Sequence, residues 1–180
     1  KKHIPLSVIE IPSQSKVFDW TVPKEWSPKE AWLIDPNGKK RAIFSQNNLN
    51  LVSHSIPVNK EMDLSDLLPH IYSLPDQPDV IPYVTSYYKE SWGFCMSDNE
   101  RRSLPEGKYQ IYIDSKLNIG SMSLAEVLLP GESKEEILIS TYICHPSMAN
   151  DNLSGVVVSV GLYKTISQLK NRKYSYRFLF

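Results

Sequence analysis

Cysteine is scarce in this sequence: the chain of 180 residues has two, Cys95 and Cys144, far apart and in no CxxC spacing. That excludes a disulfide scaffold and a cysteine-based zinc finger, and a reducing, cytoplasmic setting fits best. No stretch approaches the roughly 20 consecutive apolar residues that a membrane helix requires. The lysine-rich start also lacks the apolar core of a signal peptide. Charge of one sign is missing too. Twenty basic and twenty acidic side chains cancel, so no general field draws nucleic acid or an anionic membrane to the protein. Glycine is sparse, seven against thirteen prolines, and the prolines gather before residue 131. Short strands and tight turns are therefore expected over the first two thirds. Internal repeats and low-complexity tracts are absent.

What the sequence does contain is 41% hydrophobic and 22% charged side chains, enough for a globular core. From Trp20 to about Arg102 the pattern is strand, turn and loop. WLIDPNGKKRAIF places Asp35-Pro36-Asn37-Gly38 between two short apolar runs and predicts a hairpin. LVSHSIPV reads as a further strand, and MDLSDLLPHIYSL as a short amphipathic helix capped by Asp63 or Ser65. In KYQIYID, Tyr109, Ile111 and Ile113 alternate onto one face, and SMSLAEVLL reads as a second half-buried strand.

The last third changes character. Ile137 to Ile143 is nearly all apolar or β-branched, the pattern of a central strand covered on both faces. Val156, Val160, Tyr163, Ile166 and Leu169 then recur at helical spacing. Asn171-Arg172-Lys173 brings cations to the helix end, and YSYRFLF begins another strand. Strand, helix, strand is a βαβ unit with parallel strands. In open α/β sheets, ligands bind outside the carboxyl ends of the strands. CHPSMANDNLSG, residues 144 to 155, falls at such an end.

In that loop His145 follows the strand directly and Asp151 stands at the helix start. Imidazole and carboxylate are both zinc ligands, and a carboxylate can bridge two ions. Asn152 either binds a ligand or caps the helix, and Gly155 lets the helix approach the sheet. The same residues have a plainer reading, an N-cap and a hydrogen-bonded loop histidine, and two ligands do not complete a site that needs three or four.

ISTYICHPSMANDNLSG resembles the metal-binding segment of the co-catalytic zinc aminopeptidases. In these a strand ends in a ligand histidine, and a bridging aspartate precedes Asn-x-Ser-Gly. Over essentially every residue the chain is similar to a bacterial aminopeptidase-like family often found near polysaccharide-biosynthesis genes. PSQSKVFDWTVPKEW, LPDQPDVIPYVTSYYKESWGFC and CHPSMANDNLSG carry that resemblance.

The resemblance implies an α/β fold: a zinc-aminopeptidase-like mixed sheet with a flanking helix, from residues 1–18 and 105–180, interrupted by a small β-rich insert at 19–104. It implies His145 as a ligand of one metal and Asp151 as the bridging ligand, zinc as the cofactor (one or two ions), and a small peptide or amide as substrate. It further implies that the chain is an internal fragment, inactive alone, with the general-base glutamate beyond Phe180. Two features depart from the pattern. Ser147 stands where an acid usually orients the histidine, and the segment between histidine and aspartate is shortened. The loss of the acid supports a rival reading, a non-catalytic binding or assembly module in surface-polysaccharide synthesis, and the shortened segment bears on whether one metal binds or two; an amino-sugar deacylase using the same metal-bound water is a further alternative. Self-association into a homo-oligomer is left open.

YVTSYYKESWGFC, residues 83 to 95, concentrates aromatic side chains. Such clusters more often close a small β-core than bind a sugar or peptide; Tyr87, Tyr88 and Trp92 are the residues expected to meet a substrate. Cys144 is expected to be a small buried hydrophobe, since neighbours on a strand point to opposite faces and His145 would not reach its sulfur. His54 and His70 are expected to be surface or hydrogen-bonded histidines, and SDNERR a solvated loop.

Overall fold

The structure is a computed structural model that describes residues 3–144, 147 and 149–180. The chain divides into two compact units, Lys1–Val22 with Ser121–Phe180, and Pro23–Gly120. The first unit opens with β1 (Ser7–Pro12), followed by β2 (Lys16–Val17) and β3 (Trp20–Thr21), which pair as a short antiparallel ribbon.

The second unit follows. β4 (Glu25–Ile34) turns back through β5 (Lys40–Arg41); then come β6 (Val58–Asp63), α1 (Leu64–Leu67), β7 (Ile71–Tyr72), β8 (Phe94–Cys95), α2 (Asp98–Arg102) and the long β9 (Lys108–Asn118). The main sheet runs β5-β4-β9-β6, antiparallel throughout. Its inner face is the alternating set read from the sequence: Tyr109, Ile111 and Ile113 are buried, packed with Ala31, Leu33, Leu67, Phe94 and Met96.

The hairpin at Asp35-Pro36-Asn37-Gly38 forms as expected. The Gly38 amide donates to the Asp35 carbonyl at 2.9 Å, and Gly38 takes φ +80, which a glycine adopts without a Cβ clash. The Asp35 carboxylate locks the turn, accepting from the amides of Asn37 (3.0 Å) and Lys39 (2.9 Å) and from Arg41 Nε (2.8 Å).

Four expectations for this unit need correction. LVSHSIPV is not a strand: His54 sits at φ 67, which breaks extended pairing, and the segment keeps only isolated bridges at Leu51 and Ser53 before β6 begins at Val58. SDNERR is not a solvated loop but α2, with Ser97 Oγ accepting from the Glu100 amide and Asp98 buried. Asp63 does occupy the N-cap of α1, yet without a side-chain bond; the Leu64 amide donates instead to the Gly107 carbonyl at 3.0 Å. Finally, the unit extends to Gly120 and not to 104, because β9 pairs along its length with β4 and β6.

The chain then returns to the first unit with β10 (Ser121–Leu129), β11 (Glu136–Ser140), α3 (Asn150–Ser167) and β12 (Ser175–Leu179). The sheet order is β1-β10-β12-β11, with β11 and β12 parallel and the other pairs antiparallel, so the sheet is mixed. β11, α3 and β12 form the expected βαβ unit. Tyr163 and Ile166 of α3 pack on Val127, Leu129 and Phe178, and the Tyr163 ring meets Phe178 edge-on at 5.6 Å.

Arg172 supplies the expected cation at the helix end, donating from Nη1 to the Leu169 carbonyl at 2.7 Å. Leu169 itself lies beyond the helix, which ends at Ser167, and is exposed. The run from Ile137 is not covered on both faces. β11 is an edge strand among the described residues and ends at Ser140, and Leu138, one register position from the helix-facing Ile139, is 59% exposed.

Candidate metal loop and aromatic cleft

The loop after β11 carries the candidate metal ligands. The Thr141 amide extends the parallel ladder by one more bond, to the Leu179 carbonyl at 3.0 Å. The chain then leaves the sheet at its carboxyl end. His145, the first candidate ligand, lies outside the described residues.

Asp151 is exposed in the first turn of α3, with backbone angles (φ −92, ψ 107) that are not helical. It does not cap the helix. Its Oδ1 accepts from the Tyr142 hydroxyl at 2.5 Å, and that bond, ahead of partial desolvation and the carboxylate's charge, raises the phenol above the usual tyrosine range.

Asn152 does not cap the helix either. It is buried, and its Nδ2 donates to Thr141 Oγ1 at 3.1 Å and to the Tyr142 carbonyl, tying the first turn of α3 to the strand end. Its buried Oδ1 has no partner among the described residues. Gly155 makes the close approach foreseen for it: a Cβ there would stand 2.5 Å from Thr141 Oγ1. Ser147, where the resemblance expects an acid, is exposed at φ 56.

Cys144 is exposed, which corrects the expectation of a buried hydrophobe: β11 ends four residues earlier, so no sheet face covers it. Desolvation by the loop, and then the charge of Asp151, raise its thiol, which makes it a poor nucleophile.

Of the two candidate ligands the described residues include one, Asp151, a side chain of a type that zinc takes. Asp151 is an accessible carboxylate with an outer hydrogen bond of the kind that orients metal ligands. One carboxylate is nonetheless short of the three or four donors that zinc takes. Among the described residues no three histidine, cysteine, aspartate or glutamate side chains converge.

The aromatic segment of the second unit divides. Trp92, expected to be exposed, is 7% exposed and belongs to the core. Its ring stacks on His70 at 3.7 Å, and Lys60 Nζ lies 4.8 Å from its centroid. His70 Nδ1 is within 3.1 Å of the Trp92 carbonyl, a hydrogen-bonded histidine as expected. Tyr88 is 84% exposed, and Tyr87 lies between it and His54, edge-on to both at 6.0 and 4.6 Å.

His54 is hydrogen-bonded as well, with Nδ1 at 3.0 Å from Ser53 Oγ, and its ring stacks on Trp26 at 5.4 Å. Burial pulls its imidazole below the usual range. Lys24, His54, Ser86, Tyr87, Glu90 and Leu117 line a cleft of about 140 Å³. Sequence reasoning missed the part of His54 in it, because nothing local links that residue to Trp26 or Tyr87.

The sequence profile of DUF4910, a domain of unknown function, matches residues 1–180. A Clostridium acetobutylicum protein named "Putative polysaccharide biosynthesis protein with aminopeptidase-like domain" is 51% identical over 180 residues, which cover 100% of this chain and 41% of that protein. A crystal structure described as a "putative peptidase" from Clostridium acetobutylicum matches with a TM-score of 0.92 at 50% identity, over 99% of this chain and 42% of that one. The zinc aminopeptidase BSAP from Bacillus subtilis matches with a TM-score of 0.63 at 11% identity, over 98% of this chain and 50% of that one. The last likeness is one of fold alone. The chain spans about two fifths of the curated relative it matches.

Proposed function

We propose that this chain, which belongs to the DUF4910 family, is part of a zinc-dependent, aminopeptidase-like hydrolase of peptide or amide bonds, with His145 and Asp151 among its metal ligands. The observation that carries this reading is Asp151: an exposed carboxylate, released from helix capping, at the carboxyl end of a parallel strand pair in an aminopeptidase-like fold. Zinc, when bound, polarises a substrate carbonyl and lowers the pKa of its water to about 7.

The chain's own residues hold the loop in shape. Asn152 fastens the first turn of α3 to Thr141 and Tyr142, Gly155 lets that turn lie against the strand end, and the Tyr142 hydroxyl orients the Asp151 carboxylate. The substrate we propose is a small peptide or amide rather than a nucleic acid, since charges that cancel give no general field to attract one. We assign the protein to the reducing cytoplasm, in keeping with two unpaired cysteines; no described helix is long and apolar enough to cross a membrane.

The test is hydrolysis of aminoacyl and N-acyl amides by the full-length protein, before and after chelation, with Asp151→Ala beside the wild type. Turnover that chelator abolishes, zinc restores and Asp151→Ala lacks supports the proposal. Turnover indifferent to chelator, or retained by Asp151→Ala, refutes it. Absence of turnover from a zinc-loaded protein favours the non-catalytic binding module.

A further inference from the structure

The cleft beside His54 lies wholly within the Pro23–Gly120 unit, so what it does is independent of the metal reading. His54 holds a left-handed backbone conformation, φ 67, that non-glycine residues adopt at a cost and that clusters at ligand sites. Backbone bonds to the facing segment keep it there: the Ser53 amide donates to the Val84 carbonyl at 2.9 Å and the Ser86 amide to the Ser53 carbonyl at 3.0 Å. The ring is fixed between Trp26 and Tyr87, with Nδ1 beside Ser53 Oγ and Nε2 as its remaining polar atom.

Lys24 and Glu90 both line the cleft, and their charged ends pair at 3.4 Å while staying 41% and 70% exposed. The two formal charges cancel, which disfavours a ligand of strong net charge of either sign. Together they still offer ammonium donors and carboxylate acceptors. The same observations argue against an extended peptide. Peptide recognition by strand addition needs free backbone groups at an edge, and here the amide and carbonyl of Ser53, the Val84 carbonyl and the Ser86 amide are consumed in joining the two segments.

What remains is a volume of about 140 Å³ lined by the Tyr87 and His54 rings, with the Lys24 ammonium as donor, the Glu90 carboxylate as acceptor, and the Ser86 hydroxyl, which already donates to the Ser53 carbonyl at 3.1 Å, as a further acceptor. A sugar ring has the matching chemistry: an apolar C–H face for the aromatic ring and a rim of hydroxyls, each a donor and an acceptor. We infer that the cleft formed by Lys24, His54, Ser86, Tyr87 and Glu90 is a binding site for a single neutral saccharide ring, and that the exposed Tyr88 ring beside it extends the site to a neighbouring sugar.

Saturation-transfer NMR tests this, with methyl glucoside and N-acetylglucosamine as probes at millimolar concentration and glycylglycine as the non-sugar control. Transfer to the ring C–H protons of at least one saccharide, and none to glycylglycine, is expected. Tyr87→Ala should weaken binding about tenfold through loss of the aromatic wall. Glu90→Ala, at an exposed position that does not threaten folding, should weaken it several-fold. Lack of transfer to either saccharide overturns the inference. So does transfer to glycylglycine of equal strength, or saccharide binding that Glu90→Ala leaves unchanged.

Discussion

Replacing Asp35 gives the sharpest test of how the second unit is held together. Its side chain is 1% exposed and accepts two backbone amides and Arg41 Nε, while the Arg41 side chain is itself only 12% exposed. Removing one member of a buried ion pair costs about 3–5 kcal/mol, because the remaining charge stays buried. Glu100, 3.6 Å from Arg41 Nη1, compensates for part of that, so Asp35→Ala should fall near the lower end, about 3 kcal/mol. Asp35→Asn keeps an acceptor for the amides and loses the charge, and should cost about 1–2 kcal/mol.

The pH dependence has a definite sign. Burial pushes the Asp35 carboxyl upward, but the Lys39 amide, Arg41 and the Asn37 amide together outweigh it and hold the group below the usual aspartate range. A carboxyl depressed in the folded state contributes stability above its unfolded pKa, and that contribution is lost as pH falls through its folded value. Urea unfolding of wild type and Asp35→Asn at neutral pH and near pH 3 measures both effects. The gap between the two proteins should narrow at the acid end. A cost below about 0.5 kcal/mol at neutral pH, or a gap that does not narrow, would refute the reasoning.

Gly155→Ala should lower stability by about 1–3 kcal/mol, since its methyl group would stand 2.5 Å from Thr141 Oγ1; Thr141→Ala in the same chain should recover part of the loss in a thermal melt. Of the two cysteines, iodoacetamide should label the exposed Cys144 alone in the native protein, at a rate that climbs as pH passes the ordinary thiol range. Cys95 is buried with its thiol pushed up to about 12, and should react only after unfolding. Arg177→Met should change a thermal melt little, an effect that salt diminishes further, because its bridges to Glu126 and Glu136 are part-exposed.

Much of the first unit was legible in the sequence because its signals are local. The β-branched run from Ile137, the helical spacing of Val156, Val160, Tyr163 and Ile166, and the cations after them each follow from one element's own periodicity, and together they specify the parallel βαβ unit. The limits of the units were not legible. Alternation in KYQIYID says which side chains turn inward, not that the strand pairs with β4 and β6.

LVSHSIPV misled because a left-handed residue at His54 leaves no mark on an alternating pattern. SDNERR carried a serine cap, acids in its first turn and arginines in its last, yet at five residues it was too short for any periodicity to show. At the candidate site, sequence pattern placed Asp151 and Asn152 at the start of the helix but not their separate roles. Those depend on Tyr142 and Thr141 across the loop. The burial of Trp92 leaves no local signal because it rests on stacking against His70, a contact between separate segments.

The central claim is that the loop after β11 binds metal. Zinc content by mass spectrometry of the full-length protein purified without chelator, alongside His145→Ala and Asp151→Ala, tests it most directly. Stoichiometric zinc is expected in the wild type, with its loss in both variants and the fold retained. A folded, metal-free wild type that added zinc cannot load would contradict it, and would leave the fold as a binding module.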